Sequence, residues 1–97
     1  MATVIRLGQG TGARIRAAML GHPTEGLRIA RQAYRIRETD SDELALVSVN
    51  EQSWWVAQRV SDRLTVWAHP GEDEAHEGFE RLAGTGDWHE AGAELAG

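Results

Sequence analysis

The chain has no cysteine, which excludes disulfide bridges, thiolate metal sites and cysteine nucleophiles. It also has only two prolines. No run of apolar residues approaches the roughly 18 residues that a membrane-spanning helix needs. We therefore expect a soluble cytoplasmic protein with no membrane partner. The 97 residues, of which 41% are hydrophobic and 26% charged, predict one small folded domain rather than a disordered chain.

Lysine is absent as well, so all ten basic residues are arginine, and they are unevenly distributed. Residues 1–37 hold seven arginines and one acid, a net charge of +6, whereas residues 38–97 hold three arginines and fourteen acids, a net charge of −11. Arginine suits bidentate recognition of phosphate, although arginine-biased codons would produce the same excess. The separation of charge suggests two regions with different partners.

Local patterns predict a mixture of strands and helices. Thr3 to Leu7 is short and β-branched and predicts a strand, and Gly12 to Leu20 has the apolar spacing of a short helix. The pattern of residues 24–38 is ambiguous. It fits a helix with an arginine face, and it also fits strands in which apolar residues alternate with arginine. For residues 27–31 both alternatives stay open, and for residues 34–38 we favour a strand.

The second half of the chain gives further signals. Leu44 to Val47 predicts a strand, and Ser48 to Glu51 matches the S-x-x-E capping box that starts a helix. We therefore favour a helix over residues 51–67, with a hairpin as the alternative. Glu72 to Ala83 carries acids in its first turn and predicts another short helix.

These elements predict an α+β fold: a small single domain with an N-terminal strand-helix unit, a short antiparallel sheet and C-terminal helices. Residues 1–70 would form a basic-to-mixed core. Residues 71–97 would form an acidic helical extension that could become ordered on partner binding.

Candidate functional residues follow from the charge distribution. Arginines of the first region could bind the phosphates of duplex DNA, and the candidates are Arg6, Arg14, Arg16, Arg28, Arg31 and Arg35. Acidic and aromatic residues near the C-terminus could bind a protein partner, and the candidates are Trp67, Glu72, Asp73, Phe79, Leu82 and Trp88. We identify no catalytic residues, no metal ligands and no cofactor, so we expect a protein that is not an enzyme.

Four segments resemble the Phd/YefM antitoxins of bacterial toxin-antitoxin modules. They are Thr11-Gly12-Ala13-Arg14, the run from Leu27 to Gln32, the run from Leu46 to Glu51, and the run from Phe79 to Gly84. The resemblance implies a homodimer whose N-terminal part binds operator DNA and represses transcription, and whose acidic C-terminal part wraps a toxin and folds upon it.

Two functional hypotheses remain. The first is a DNA-binding antitoxin or small transcriptional repressor, dimeric, whose acidic C-terminal region also binds a protein partner such as a basic toxin. The second is a non-enzymatic protein-binding inhibitor of the phage or mobile-element type, which acts through its acidic surface while its arginines pair with acids either within the fold or across a dimer.

Overall fold

A six-stranded antiparallel sheet forms the centre of the molecule in the computed structural model, which describes residues 3–38 and 40–91. A helix covers each face of this sheet. The elements in chain order are β1 (Thr3–Ile5), α1 (Gln9–Met19), β2 (Leu27–Arg37), β3 (Asp40–Val49), β4 (Ser53–Val60), β5 (Arg63–His69), α2 (Glu72–Ala83) and β6 (His89–Ala91).

The strand order in the sheet is β1-β5-β4-β3-β2-β6, and every neighbouring pair is antiparallel. Strands β2 to β5 form a continuous meander joined by short turns. Short edge strands flank it: β1 pairs with β5, and β6 pairs with β2. Helix α1 therefore connects β1, at one edge of the sheet, to β2, on the far side of the meander. Helix α2 crosses the other face and connects β5 to β6.

Alternating residues of the central strands pack against different helices. On one face, Ala45 and Val47 of β3 pack with Ile15 and Met19 of α1, and all four are buried. On the other face, Leu44 and Leu46 of β3 pack with buried residues of α2, namely Ala75 and Phe79. Successive strand residues point to opposite faces, so burial on both faces makes residues 44–47 of β3 continuously apolar.

The predicted fold class was wrong, because the chain is mainly a six-stranded antiparallel sheet with two helices, and α2 is the last of them among the described residues. The largest error concerns residues 51–67, where we favoured a helix and the structure forms the β4–β5 hairpin. Residues on one face of β4 pack in the apolar cluster beneath α1, and residues on its other face pack in the apolar cluster beneath α2. The polar-apolar alternation that distinguishes a strand is therefore missing from the sequence.

The predicted capping box was also wrong. Ser48 lies inside β3 and is buried, and Asn50 and Glu51 have φ angles of 54° and 59° in the turn that leads to β4. Both angles lie in the left-handed region that suits hairpin turns. The ambiguous residues 27–31 belong to the single long strand β2.

The predicted pair of C-terminal helices was wrong as well. Helix α2 is followed by turns and then by β6, which pairs with residues 32–34 of β2. Residues 92–97, the end of the predicted acidic extension, lie outside the described residues. Within the described residues, no helix has the length and apolar character required to cross a lipid bilayer.

Candidate functional site

The arginines predicted to bind DNA are distributed over both faces of the sheet. Arg14 and Arg16 are exposed on α1, and their guanidinium groups donate hydrogen bonds to the backbone carbonyls of Glu25 and Asp62 respectively. Arg6 is exposed just after β1. None of these three arginines forms an ion pair within residues 3–38 and 40–91.

Arg28, Arg31 and Arg35 lie on the opposite face, where β2 faces the side of the sheet covered by α2. Arg28 is exposed and its guanidinium carbon lies 6.0 Å from the ring centroid of Trp54. It too forms no ion pair with any described carboxylate. The other two are held by acids of the same chain.

Arg31 connects three elements. Its guanidinium donates two hydrogen bonds to the carboxylate of Glu90 in β6, at 2.9 Å and 2.7 Å, and a third of 3.2 Å to Glu80 of α2. The same group lies 4.6 Å from the ring centroid of Phe79 and 3.2 Å from Nδ1 of His76. Charge-assisted bidentate pairs are among the stronger hydrogen bonds, so Arg31 joins α2 and β6 to the sheet.

Arg35 and Arg37 share one buried carboxylate. The carboxylate of Asp42 is 0% exposed and accepts hydrogen bonds of 3.0 Å and 2.7 Å from Arg35 and one of 2.9 Å from Arg37. Arg35 also lies 4.6 Å from the ring centroid of Trp88. A further pair, Arg59 with Glu43 at 3.3 Å, joins β4 to β3.

These pairs change the acidity of the carboxyl groups. The hydrogen bond from Arg31 lowers the pKa of Glu90 and outweighs the opposing effect of its burial. Burial would raise the pKa of Asp42, but hydrogen bonding to Arg35 and the charge of Arg37 overcome it, so that the pKa lies below its ordinary value. Both carboxylates are therefore charged at neutral pH and neutralise arginines of β2.

The residues predicted to bind a protein partner have different surroundings. Phe79 is 0% exposed and belongs to the core, so it cannot contact a partner while α2 stays on the sheet. Trp67, Leu82 and Trp88 are half-buried and pack against the same cluster. Glu72 and Asp73 are exposed in the first turn of α2.

The exposed side of α2 is strongly acidic, and it extends further than the two acids that we predicted. The carboxylates of this acidic face are Glu72, Asp73, Glu74, Glu77 and Glu80, all on exposed residues. Arg81 is the only arginine in the helix. The sequence signal that could have identified Glu74 and Glu77 is their position in an amphipathic helix, away from buried Ala75 and Phe79.

Histidine and acidic side chains were the candidates for metal ligands. Within residues 3–38 and 40–91, no group of three histidine or acidic side chains is placed to hold a metal ion. His76 lies 3.6 Å from Glu72, one turn earlier on α2, and also contacts Arg31. The main chemical feature of the molecule is thus an acidic helix face next to arginines that are already paired.

Comparison with known proteins adds no functional assignment: no protein-family model, no curated protein and no solved structure matches this chain.

Proposed function

We propose that the chain is a non-enzymatic protein-binding module of the cytoplasm that presents the acidic face of α2 to a basic surface of a partner protein. The observation that carries this proposal is the orientation of α2. Ala75 and Phe79 hold one side of the helix in the core, while its five carboxylates face solvent. Such a surface attracts a positively charged partner over a distance of about one Debye length, roughly 8–10 Å.

The pairing of the β2 arginines supports the same function. Arg31, Arg35 and Arg37, three of the seven arginines of residues 1–37, are bound by Glu90 and Asp42 and are neutralised inside the chain. Asp73, Glu74 and Glu77 have no comparable ion pair among the described residues. The exposed charge on this side of the molecule is therefore mainly negative, which favours a basic protein over nucleic acid as the partner.

The test is a triple neutralisation of the acidic face, Asp73→Asn with Glu74→Gln and Glu77→Gln. We expect affinity-tagged wild-type protein, expressed in its source organism and cross-linked, to recover a basic protein that the triple variant recovers at least tenfold less. Loss of three charges at a protein interface removes both steering and contacts. Recovery is measured by quantitative mass spectrometry.

A matched control separates this effect from the change in net charge. Glu25→Gln with Glu38→Gln and Glu51→Gln removes three exposed acids outside α2, and this variant should recover the partner as the wild type does. Thermal unfolding of both variants checks that they are folded. Equal recovery by all three proteins would contradict a role for the acidic face.

Duplex DNA binding is a second candidate function, favoured by the exposure of Arg6, Arg14, Arg16 and Arg28 without ion pairs among the described residues. It would belong to an antitoxin or repressor that acts as a homodimer. Each phosphate contact contributes about −0.9 to the slope of log affinity against log salt concentration. Two or more contacts therefore predict a slope of about −1.8 or steeper for a 20-base-pair duplex, measured by fluorescence anisotropy.

The variant that tests DNA binding replaces Arg14 and Arg16 by glutamine. This change should weaken the affinity for duplex DNA and flatten its dependence on salt. An affinity that does not change between low and moderate salt would reject phosphate binding.

A further inference from the structure

A groove between β5 and α2 has the composition of a small-molecule site. It is lined by Trp67 and His69 of β5 and by Gly78, Arg81 and Leu82 of α2, and it is an open groove with a volume of about 180 Å³. We call it the β5–α2 groove. It lies on the edge side of α2, away from the ion pairs of β2, and neither functional candidate described above uses it.

The close approach of His69 to α2 explains a glycine in the middle of this helix. A Cβ atom added at Gly78 would lie 2.5 Å from Cε1 and 2.8 Å from Nε2 of the imidazole, well inside van der Waals contact. Glycine is otherwise unfavourable inside a helix. Gly78 thus lets the imidazole pack on the helix backbone at the base of the groove.

The walls of the groove are apolar and continue onto the surface. Trp67 and Leu82 are half-buried and form its two sides. Val4 of β1 is paired with Trp67 in the sheet register, so the two side chains lie on the same face. Val4 is 62% exposed, and it extends the apolar wall toward the sheet edge.

Two polar groups accompany these walls. Arg81 is exposed and forms no ion pair with any carboxylate of the described ranges. Burial and the charge of Arg81 lower the pKa of His69, so the imidazole is neutral at pH 7 and can donate one hydrogen bond. Among the described residues that line the groove, Arg81 is the one that carries a charge.

We propose that the β5–α2 groove binds a small carboxylate with an apolar body, whose carboxylate pairs with Arg81 and whose body lies between Trp67 and Leu82. Arginine is suited to carboxylate recognition, and small-molecule sites commonly combine apolar walls with a few polar groups. A cavity of about 150 Å³ is known to hold benzene, so the groove fits a single ring with a short acid chain.

The experiment is a titration of the 97-residue chain with phenylacetate, followed by the indole N–H signal of Trp67 in two-dimensional NMR. We expect a saturable shift of this signal at pH 7. Acetate carries the charge without the ring, and benzyl alcohol carries the ring without the charge. Each should bind at least tenfold more weakly than phenylacetate if the groove recognises both parts.

Protein variants identify the charge that is responsible. Arg81→Gln should weaken phenylacetate binding at least tenfold, whereas Arg14→Gln, which removes an arginine from α1, should leave it unchanged. Thermal unfolding confirms that both variants are folded. A Trp67 shift that phenylacetate produces no better than acetate, or that Arg81→Gln does not reduce, would overturn the proposal. Because the acidic face takes no part in this titration, its outcome is independent of the protein-binding test.

Discussion

Asp42→Asn is expected to destabilise the protein by about 3 kcal/mol, because it leaves two arginines around a buried side chain that no longer carries a charge. Asp42 is 0% exposed, and Arg35 and Arg37 both donate to its carboxylate. A small domain has a free energy of unfolding of about 5–15 kcal/mol, so this loss is a large fraction of the total. Chemical denaturation at pH 7 measures it.

The neighbouring exposed acid provides the control. Asp40→Asn should change the free energy of unfolding by less than about 0.5 kcal/mol, since surface substitutions away from buried networks have small effects. Asp40 is exposed, and within residues 3–38 and 40–91 its side chain accepts a hydrogen bond only from the backbone N–H of Ser41 in the same strand. Similar losses in the two variants would show that the buried ion pairs of Asp42 contribute little.

The pH dependence of stability provides a second check on Asp42. Because its pKa is lower in the folded protein than in the unfolded chain, its stabilising contribution is present above the ordinary carboxyl pKa of about 4. The contribution is lost as the pH falls through the lower value of the folded state. Wild-type protein should thus lose stability below about pH 4 more steeply than Asp42→Asn. Equal slopes would contradict the assigned pKa shift.

Phe79→Ala is expected to cost about 3–5 kcal/mol, the range for removing a large aromatic side chain from a core. Phe79 is 0% exposed, is the larger of the two buried residues of α2, and belongs to the same cluster as Leu44, Leu46 and Val56. Its ring also contacts the guanidinium of Arg31 at 4.6 Å. The substitution should therefore loosen both α2 and the Arg31 network, and thermal or chemical unfolding measures the loss.

Phe79→Leu separates core volume from the aromatic contact. It retains much of the apolar volume and should cost about 1–2 kcal/mol, of which the lost contact with Arg31 contributes about 0.5–1 kcal/mol. A cost below 1 kcal/mol for Phe79→Ala would mean that α2 is not fixed to the sheet by this residue. The presentation of the acidic face would then need another explanation.

The sequence predicts the acids of the candidate site but not the pairing of its arginines. The acidic character of residues 72–80 is visible from the sequence, and the helical pattern with Ala75 and Phe79 inside accounts for the exposure of the acids. The pairing of Arg31 with Glu90, 59 residues later, is not visible, because it depends on β6 returning to the edge of β2. From the sequence alone, the seven arginines and one acid of residues 1–37 therefore predict a basic surface whose arginines are not paired with acids.

Trp54 and Trp55 illustrate why the strand arrangement was missed. They are consecutive in β4, and each packs against a different apolar cluster, because helices cover both faces of the sheet. An antiparallel sheet with one solvated face produces a polar-apolar alternation that reveals its strands. With two covered faces the alternation disappears, and apolar residues spaced along residues 51–67 also fit one side of a helix.

The sequence by itself determined the excess of acid after residue 37, the amphipathic pattern of α2 and the absence of any cysteine chemistry, because composition and short-range spacing depend only on neighbouring residues. The tertiary structure alone decided which charges remain available. Strand pairing brings Asp42 and Glu90 to the arginines of β2 and leaves Asp73, Glu74 and Glu77 in solvent. Contacts between residues distant in the chain depend on the whole sheet, since local propensity does not specify which strands become neighbours.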